Sequence, residues 1–249
     1  MALISFQKVC KAFGAKQILV NVDIEILEGE TLTIIGGSGT GKSVFLKLLL
    51  GVLNPDKGAV FFRGKNVSDM KEKDLIEMRS HMGMLFQGAA LFDSLTVGQN
   101  VAYPLKVHFD YDDDKVENIV AECLQMVGLP GIEDMMPADL SGGMRKRIGL
   151  ARAIATHPDV ILYDEPTTGL DPANTQRIAK LIRELQQKLS VTSVVVTHDM
   201  EFAFSISNRM AMLHQRKFSF VGTVDEARSS LNPVVQNFLQ GKMETGDTS

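Results

Sequence analysis

The first 35 residues have the pattern of β-strands, with near-alternation of apolar and polar positions in QILVNVDIEI. The segments ALISFQKVC and QILVNVDIEI are followed by a turn at residues 28–30 and by the apolar run TLTII. Behind a glycine-rich segment, VFLKLLLGVL has helical spacing as far as residues 54–55. The pattern therefore predicts an N-terminal antiparallel β portion whose last strand passes through a glycine loop into a helix.

Residues 88–157 have a different pattern, of helices joined by polar turns. The clearest helix follows Asp112, Asp113 and Asp114, and its apolar residues share one face before Gly128. Acidic side chains are favoured at a helix N-terminus, so we interpret the aspartates as capping residues. A metal cluster is the alternative, although three adjacent carboxylates do not have the spacing of a calcium loop.

Beyond residue 158 strands and helices alternate again. VILYDE and SVVVTHD predict buried strands, and residues 175–189 and 200–207 predict helices. This alternation predicts an α/β fold with a mainly parallel sheet, into which the helical stretch is inserted. We predict one domain over residues 1–241, with a core of 1–87 and 158–230 and a helical subdomain of 88–157.

Residues 231–249 are interpreted as a short C-terminal tail. An apolar stripe in this tail packs either on its own domain or on a second copy of the chain; its members are Val234, Val235, Phe238 and Leu239. The sequence alone favours neither alternative.

Composition narrows the class of protein. The 249 residues are 45% hydrophobic, and 26 basic against 30 acidic residues give a net charge of -4 without a basic stripe. Nucleic acid is therefore not an expected partner. Cys10 and Cys123 form no metal or disulfide pattern, and no segment has the length of a membrane span or the form of a signal peptide. We expect a cytoplasmic protein.

The glycine-rich segment matches the phosphate-binding pattern G-x-x-x-x-G-K-[ST] at every position. Its backbone N–H groups and the positive end of the following helix suit a polyphosphate. An ordinary glycine turn is the alternative, which the flanking strand and helix oppose. ATP with Mg²⁺ is the predicted ligand, held by Gly36, Gly37, Ser38, Gly39, Thr40, Gly41, Lys42, which reaches the β- and γ-phosphates, and Ser43, which binds Mg²⁺.

Two carboxylates end the predicted strand VILYDE. Asp164 is suited to the Mg²⁺ shell, and Glu165 is suited to polarise an attacking water, a role that a hydrolase needs and a kinase does not. A strand that merely ends in acidic residues is the alternative.

A second anion-binding helix start is predicted at LSGGM. Ser141, Gly142 and Gly143 offer a hydroxyl and free backbone amides at the start of the helix RKRIGLARAIA. Two such sites in one chain suggest a sandwich, in which this segment of one copy closes on the ATP held by another.

In this order the motifs resemble the nucleotide-binding subunits of ABC transporters over most of the chain. That resemblance implies a P-loop NTPase fold with a RecA-like core. Residues 36–43 match the Walker A motif, 140–144 the signature, 160–165 the Walker B motif and 169–171 the D-loop. Gln87 matches the Q-loop and His198 the switch histidine. Phe13 lies where the family places an adenine-stacking aromatic, and a core phenylalanine is the alternative.

The resemblance also implies residue roles. Glu165 is the general base, and His198 contacts the γ-phosphate. Gln87 touches the Mg²⁺ shell and reports the nucleotide state to a membrane partner. Asp171 crosses the dimer interface near the partner's Walker A motif. Without the resemblance, His198 would be interpreted as a local structural residue at the end of a strand.

The chain also resembles the ATPases of Mla/MCE systems, which move phospholipids or other hydrophobic molecules. The resemblance lies in three segments: the signature, GAALFDSLTVGQNVAYPL and NPVVQNFLQG. The implied partners are a second copy, an integral membrane permease, an MCE-type substrate-binding protein and accessory subunits. The implied location is the inner face of the inner membrane. A groove for a permease helix is predicted after Gln87, with either a lining role or a core-filling role for Met78, Met82, Met84, Met135 and Met136.

Two alternatives share these motifs. One is an ABC importer or exporter for amino acids, metals or peptides, and the other is a soluble ABC ATPase that drives DNA repair or cluster assembly. A P-loop kinase or GTPase is excluded, because neither class accounts for LSGG, Glu165 and His198 together.

Overall fold

Strands and helices alternate along most of the structure, a computed structural model that describes residues 2–242. The strands are β1 Ala2–Phe13, β2 Lys16–Leu27, β3 Thr31–Ile35, β4 Lys57–Phe62, β5 Lys65–Asn66, β6 Met82–Leu85, β7 Val160–Asp164, β8 Thr192–Thr197, β9 Arg209–His214 and β10 Lys217–Thr223. The α-helices are α1 Lys42–Leu49, α2 Glu72–Ser80, α3 Val97–His108, α4 Asp113–Met126, α5 Gly142–Ile154, α6 Pro172–Leu189, α7 Met200–Ile206, α8 Val224–Arg228 and α9 Pro233–Leu239.

The chain divides into two compact units. The first comprises the described residues up to Leu75 and from Val194 onward, and the second comprises Ile76–Ser193. The mixed α/β fold with parallel strand pairs and helical segments confirms the predicted fold class. The bounds proposed for the helical subdomain remain a prediction.

The first unit contains an antiparallel sheet in the order β2-β1-β4-β5. Its buried side chains come from alternating positions such as Val22, Ile24 and Ile26, so the near-alternating pattern reflects one face of this sheet. In this unit β10, β9, β3 and residues 194–197 of β8 follow one another in a second sheet, and β3 is parallel to β9. All five residues of β3 are buried, which explains its unbroken apolar run.

Helix α1 is shorter than its apolar run predicts. It ends at Leu49, and Gly51 follows in the left-handed conformation with φ 64°. The amides of Gly51 and Val52 donate to the carbonyl oxygens of Leu48 and Lys47 at 3.1 and 2.9 Å, so the chain turns back on the last turn of the helix. The prediction that the helix reaches residue 54 is therefore wrong.

The apolar stripe of the tail packs on its own unit. Val235 is fully buried in α9, in a cluster with Ile35, Ala203, Met210 and Ala227. Val234, Phe238 and Leu239 are partly buried against the same cluster. Of the two alternatives, packing within the unit is the one observed. Residues 243–249 of the predicted tail lie outside the described residues.

Truncation of Val235 tests this packing. We expect Val235→Ala to lower the free energy of unfolding by about 2 kcal/mol, because two buried methyl groups are lost and a small cavity remains. Chemical denaturation of the full chain measures the change. The loss should not depend on protein concentration, since the contact lies within one unit.

Val52→Ala is the matched control for this experiment. Val52 lies in the same unit and is 59% exposed, so its truncation should change the free energy of unfolding by no more than about 0.5 kcal/mol. Equal losses for the two variants, or a loss at Val235 that disappears on dilution, would contradict packing within the unit.

In the second unit β6 pairs in parallel with β7, in a register that places Leu85 opposite Tyr163. Helix α4 begins after Asp112, whose carboxylate accepts a hydrogen bond from the amide of Lys115 at 2.8 Å. Capping by this aspartate is confirmed, and within residues 2–242 no group of three or more His, Cys, Asp or Glu residues is placed to hold a metal. The predicted helix 175–189 begins one turn earlier, because Asp171 caps it and Pro172 occupies its first turn.

Candidate functional site

In the first unit, the glycine-rich loop connects the buried strand β3 to α1. Gly41 stands at the N-cap of α1 with φ 107°, and a Cβ atom there would lie 2.8 Å from Cγ2 of Ile18. A Cβ atom on Gly36 would lie 2.5 Å from the carbonyl oxygen of Leu213. Both positions require glycine, for close packing and, at Gly41, also for the backbone conformation. The first turn of α1 thus begins directly at a loop without bulky side chains.

Lys42 extends over this loop. Its ammonium donates hydrogen bonds to the carbonyl oxygens of Gly36 at 2.8 Å and Gly37 at 3.0 Å, and the residue is only 7% exposed. The hydroxyl of Thr40 donates to the carbonyl oxygen of Gly37 at 2.9 Å, whereas Ser43 is exposed at the start of the helix. The loop therefore carries one positive charge beside the N-terminus of α1, where an anion is stabilised.

Two other predicted residues lie in the first unit. Phe13 ends β1, and its ring is 49% exposed with the ammonium of Lys11 at 5.6 Å from the ring centroid. The core interpretation of Phe13 is thus wrong, and its stacking role stays a prediction. His198 is exposed directly after β8, where Asp199 caps α7 by accepting from the amide of Phe202 at 3.0 Å.

In the second unit, the parallel register brings Gln87 and Glu165 to one edge. Leu85 of β6 pairs with Tyr163 of β7, and Gln87 and Glu165 each lie two positions beyond these paired residues. Their backbones are joined by Lys146 of α5, whose ammonium donates to the carbonyl oxygen of Gln87 and, at 3.3 Å, to that of Glu165. Asp164 is the last residue of β7. The structure therefore groups these three predicted residues.

Glu165 has a left-handed backbone, with φ 49°. Such a conformation is uncommon outside glycine and persists where neighbouring groups hold it. The hydroxyl of Thr168 lies 3.5 Å from its Oε2, and the amide of Thr168 donates to its carbonyl oxygen at 3.3 Å. The main chain turns sharply here and carries a half-buried carboxylate at the turn.

The signature segment also lies in the second unit. Ser141 is the N-cap of α5, and its Oγ accepts a hydrogen bond from the amide of Met144 at 3.2 Å. The serine and Gly142 are exposed, whereas Gly143 is buried against Asn174: a Cβ atom on Gly143 would lie 3.0 Å from Oδ1 of that side chain. An exposed hydroxyl at the start of a 13-residue helix fits the predicted anion-binding role.

Asn174 connects the signature to Asp171. Its amide N–H donates to Oδ1 of Asp171 at 3.0 Å, and its side-chain amide donates to Oδ2 at 2.5 Å. These hydrogen bonds hold the pKa of the Asp171 carboxyl below its usual value, the backbone bond being the largest cause. The aspartate is therefore a fixed negative charge at the start of α6.

A groove of about 420 Å³ lies in the second unit beyond the strand β6. Exposed aromatic residues at its edge are Phe86, Phe92 and Tyr103, and the rings of the last two are 4.7 Å apart. Of the five candidate methionines, Met82 and Met84 belong to its lining, whereas Met78, Met135 and Met136 do not; Met78 is buried. Burial favours the core-filling role for Met78, and a lining role for the half-buried Met135 and Met136 stays a prediction.

Three residues of the site were missed from the sequence, namely Lys146, Thr168 and Asn174. Lys146 lies in the predicted helix RKRIGLARAIA, and the sequence assigns it no role. Its spacing from Gly143 and Leu150 nevertheless places it on the buried face of α5, and a lysine on an apolar helix face is a detectable signal. The contacts of Thr168 and Asn174 carry no comparable pattern.

Comparison with known proteins shows extensive similarity. Residues 19–168 match the ABC transporter family. Mkl of Mycobacterium leprae, named a probable ribonucleotide transport ATP-binding protein, is 40% identical over 93% of this chain and 67% of its own length. The intermembrane phospholipid transport system ATP-binding protein MlaF of Haemophilus influenzae is 38% identical over 93% of this chain and 88% of its own length.

A solved structure extends this similarity to the fold. The dimeric ATP-binding cassette MJ0796, in a post-hydrolysis state with ADP and Pi, is 30% identical with a TM-score of 0.81, over 89% of this chain and 98% of its own. Within residues 2–242 no helix is both long and apolar enough to cross a membrane. The family resemblance seen in the motifs is confirmed, and the chain belongs to the ABC transporter family, whose members hydrolyse ATP.

Proposed function

We propose that the chain is the ATP-hydrolysing motor of an envelope transporter that moves phospholipids or similar hydrophobic molecules. The observation that carries the cargo assignment is the 38% identity to MlaF over 88% of that protein's length. Mkl, which is named for ribonucleotide transport, is matched over a smaller share of its length. Transport of another cargo by the same motor is the second candidate, and the identity to mkl favours it.

The proposed working form is a dimer with two ATP molecules. Each ATP is held by the glycine-rich loop of one copy and by Ser141, Gly142 and Gly143 of the other. Support comes from the uncrowded start of α1, from the exposed Ser141 hydroxyl at the start of α5 and from the dimeric form of the cassette MJ0796. Asp171, fixed by Asn174, is proposed to contact the partner copy near its loop.

In the proposed reaction Glu165 accepts a proton from the attacking water. A carboxylate on a sharply turned backbone, held by Thr168 and Lys146, is suited to keep one orientation during this step. Lys42 binds the β- and γ-phosphates, and His198 donates a hydrogen bond to the γ-phosphate. Gln87 senses the nucleotide through its position beside Glu165, two residues beyond the end of the neighbouring strand β6.

The oxygen donors of Ser43, Asp164 and Gln87 fit Mg²⁺, which prefers hard oxygen ligands and is commonly held by one or two carboxylates together with substrate phosphates. When bound, this ion neutralises charge on the phosphates. Ser43 is exposed at the start of α1, and Asp164 is half-buried at the end of β7.

The groove is proposed to receive a cytoplasmic helix of a permease. Exposed aromatic side chains beside the flexible side chains of Met82 and Met84 suit an apolar helix face. Phe86 and Ala90, which line the groove, flank Gln87 closely in the chain, so partner binding and nucleotide sensing share one segment. Location at the inner face of the inner membrane, and contact with MCE-type and accessory subunits, follow as part of the same proposal.

Purification from native membranes tests the cargo and the partners together. The tagged full chain is purified from native membranes under conditions that retain bound lipid. Mass spectrometry then identifies the proteins and lipids that co-purify with it. Recovery of a multi-span permease, a single-span substrate-binding protein and excess phospholipid is expected. A permease without excess phospholipid would favour the second candidate, and soluble partners alone would contradict a transport role.

A groove variant sharpens this experiment. Tyr103→Arg is expected to reduce recovery of the permease by about tenfold or more, because a charge replaces an aromatic anchor in the interface. Val107→Arg is the matched control, since Val107 lies on the same helix α3, is 58% exposed and lies outside the groove lining. Equal recovery with both variants would contradict docking in the groove.

A further inference from the structure

Lys146 is a buried cation in the second unit. The residue is 5% exposed on α5, one turn beyond the signature segment. Burial lowers the pKa of its ammonium, and the nearby carboxylates of Glu165 and Asp164 act in the opposite direction. Burial of a lysine is unfavourable unless its charge and its N–H groups find partners, so the partners of Lys146 indicate why it is there.

These partners are main-chain oxygens of two motifs. The Lys146 ammonium donates to the carbonyl oxygens of Gln87 and Glu165. A lysine ammonium has three N–H groups and no acceptor, so one nitrogen atom can join two backbone segments. The charge also faces the carboxylates that end β7.

The second observation is the backbone of Glu165. Its φ of 49° is unusual for a glutamate, and its carbonyl oxygen accepts from both Lys146 and the amide of Thr168. Loss of the ammonium would remove one of these two donors and the link to Gln87. The carboxylate orientation depends on this backbone, because a change in φ swings the side chain away.

We propose that Lys146 is a positioning residue for ATP hydrolysis, which clamps the main chain of Glu165 to that of Gln87 and so holds the Glu165 carboxylate toward the attacking water. This inference rests on the proposed role of Glu165 as general base. Lys146 itself touches neither nucleotide nor water in this proposal. It acts through the backbone of Glu165.

The test is steady-state ATP hydrolysis by the full chain with Lys146→Met, which keeps an unbranched apolar stem and removes the ammonium. We expect kcat to fall about 10- to 100-fold, as for a small misplacement of a catalytic group. KM and the dissociation constant for ATP should stay within about twofold, because ground-state binding is unchanged. Lys146→Arg, which retains charge and N–H donors, should recover kcat to within about fivefold of the unmodified protein.

Arg147→Met is the matched control. Arg147 is the next residue of α5, is partly buried, and donates to the carbonyl oxygens of Val127 and Gly128, which belong to no predicted motif. Arg147→Met should lower the midpoint temperature of thermal unfolding about as much as Lys146→Met does. Its kcat should stay within about twofold of that of the unmodified protein. Thermal unfolding of each variant separates loss of fold from loss of catalysis.

A double variant distinguishes failure of this inference from failure of the proposed function. In a Glu165→Gln background, Lys146→Met should cause no further loss, because both changes act through one group. Normal hydrolysis by Glu165→Gln would overturn the role of Glu165, and this inference with it. A strong effect of Glu165→Gln beside unchanged kcat in Lys146→Met would overturn the inference alone.

Two other outcomes would also overturn the inference. One is an equal loss of ATP affinity and kcat in Lys146→Met that Lys146→Arg does not reverse. The other is failure of both Lys146→Met and Lys146→Gln to fold while Arg147→Met folds, since the lysine would then serve only the stability of the unit.

Discussion

Glu165→Gln is expected to lower the rate of ATP hydrolysis by about 100- to 10,000-fold, the range that a general base contributes. The amide has the shape of the carboxylate but cannot accept the proton of the attacking water. The backbone contacts of Glu165 with Lys146 and Thr168 involve its carbonyl oxygen and are retained. ATP should therefore still bind, and the ATP-loaded protein should accumulate as a dimer, measured by phosphate release and by size-exclusion chromatography with light scattering.

Glu184→Gln is the matched control for this experiment. Glu184 is a carboxylate of α6 whose contact is a 3.7 Å ion pair with Lys180, one helical turn away. An exposed pair of this kind contributes little to stability, so hydrolysis and dimer content should equal those of the unmodified protein. Wild-type hydrolysis by Glu165→Gln, or a monomer with ATP under conditions where the unmodified protein dimerises, would contradict the role of general base.

Replacement of Lys42 by methionine should weaken ATP binding by about 10- to 100-fold, the worth of a charge-assisted hydrogen bond at a phosphate. The ammonium is the positive side chain that reaches over the loop, and it already bonds the carbonyl oxygens of Gly36 and Gly37. Its loss removes a phosphate ligand and also loosens the loop. Titration with a fluorescent ATP analogue measures the dissociation constant.

Lys47→Met is the control for Lys42→Met. Lys47 lies on the same helix α1 and is exposed in its last turn. Lys47→Met therefore removes one positive charge, as Lys42→Met does, without changing the loop. The dissociation constant of Lys47→Met for ATP should stay within about twofold of that of the unmodified protein. Equal weakening by both variants would show that net charge, rather than the position of Lys42, governs ATP binding.

The sequence predicts those parts of the site that depend on local pattern. The glycine loop, the caps at Ser141 and Asp112 and the carboxylates that end β7 all follow from short-range rules of strand, turn and helix. Family resemblance adds the roles of His198 and Phe13 in the site and of Asp171 at the dimer interface, which no local rule would assign. Local rules would predict Asp171 only as the N-cap of α6.

The parts that could not be predicted depend on tertiary contacts. The end of α1 is an exception: its stop at Leu49 is marked locally by the left-handed Gly51, although the apolar run after Lys42 continues past it. The link from Lys146 to Gln87 and Glu165 requires the parallel register of β6 and β7, which no segment of sequence encodes by itself. The sequence of the tail stripe fits equally well with packing on its own unit or on a second copy, and only the tertiary structure shows that it packs on the first unit.

Helix α5 has a mechanical consequence. Its N-terminus carries the Ser141 cap, its second turn carries Lys146, and Arg152 near its end donates to the carbonyl oxygens of Ala89 and Ala90 at 2.7 and 2.8 Å. A helix of this length is a stiff rod of about 20 Å. If a partner docks in the proposed groove at the Arg152 end, we expect α5 to move as one rigid body and so to shift the signature at its other end.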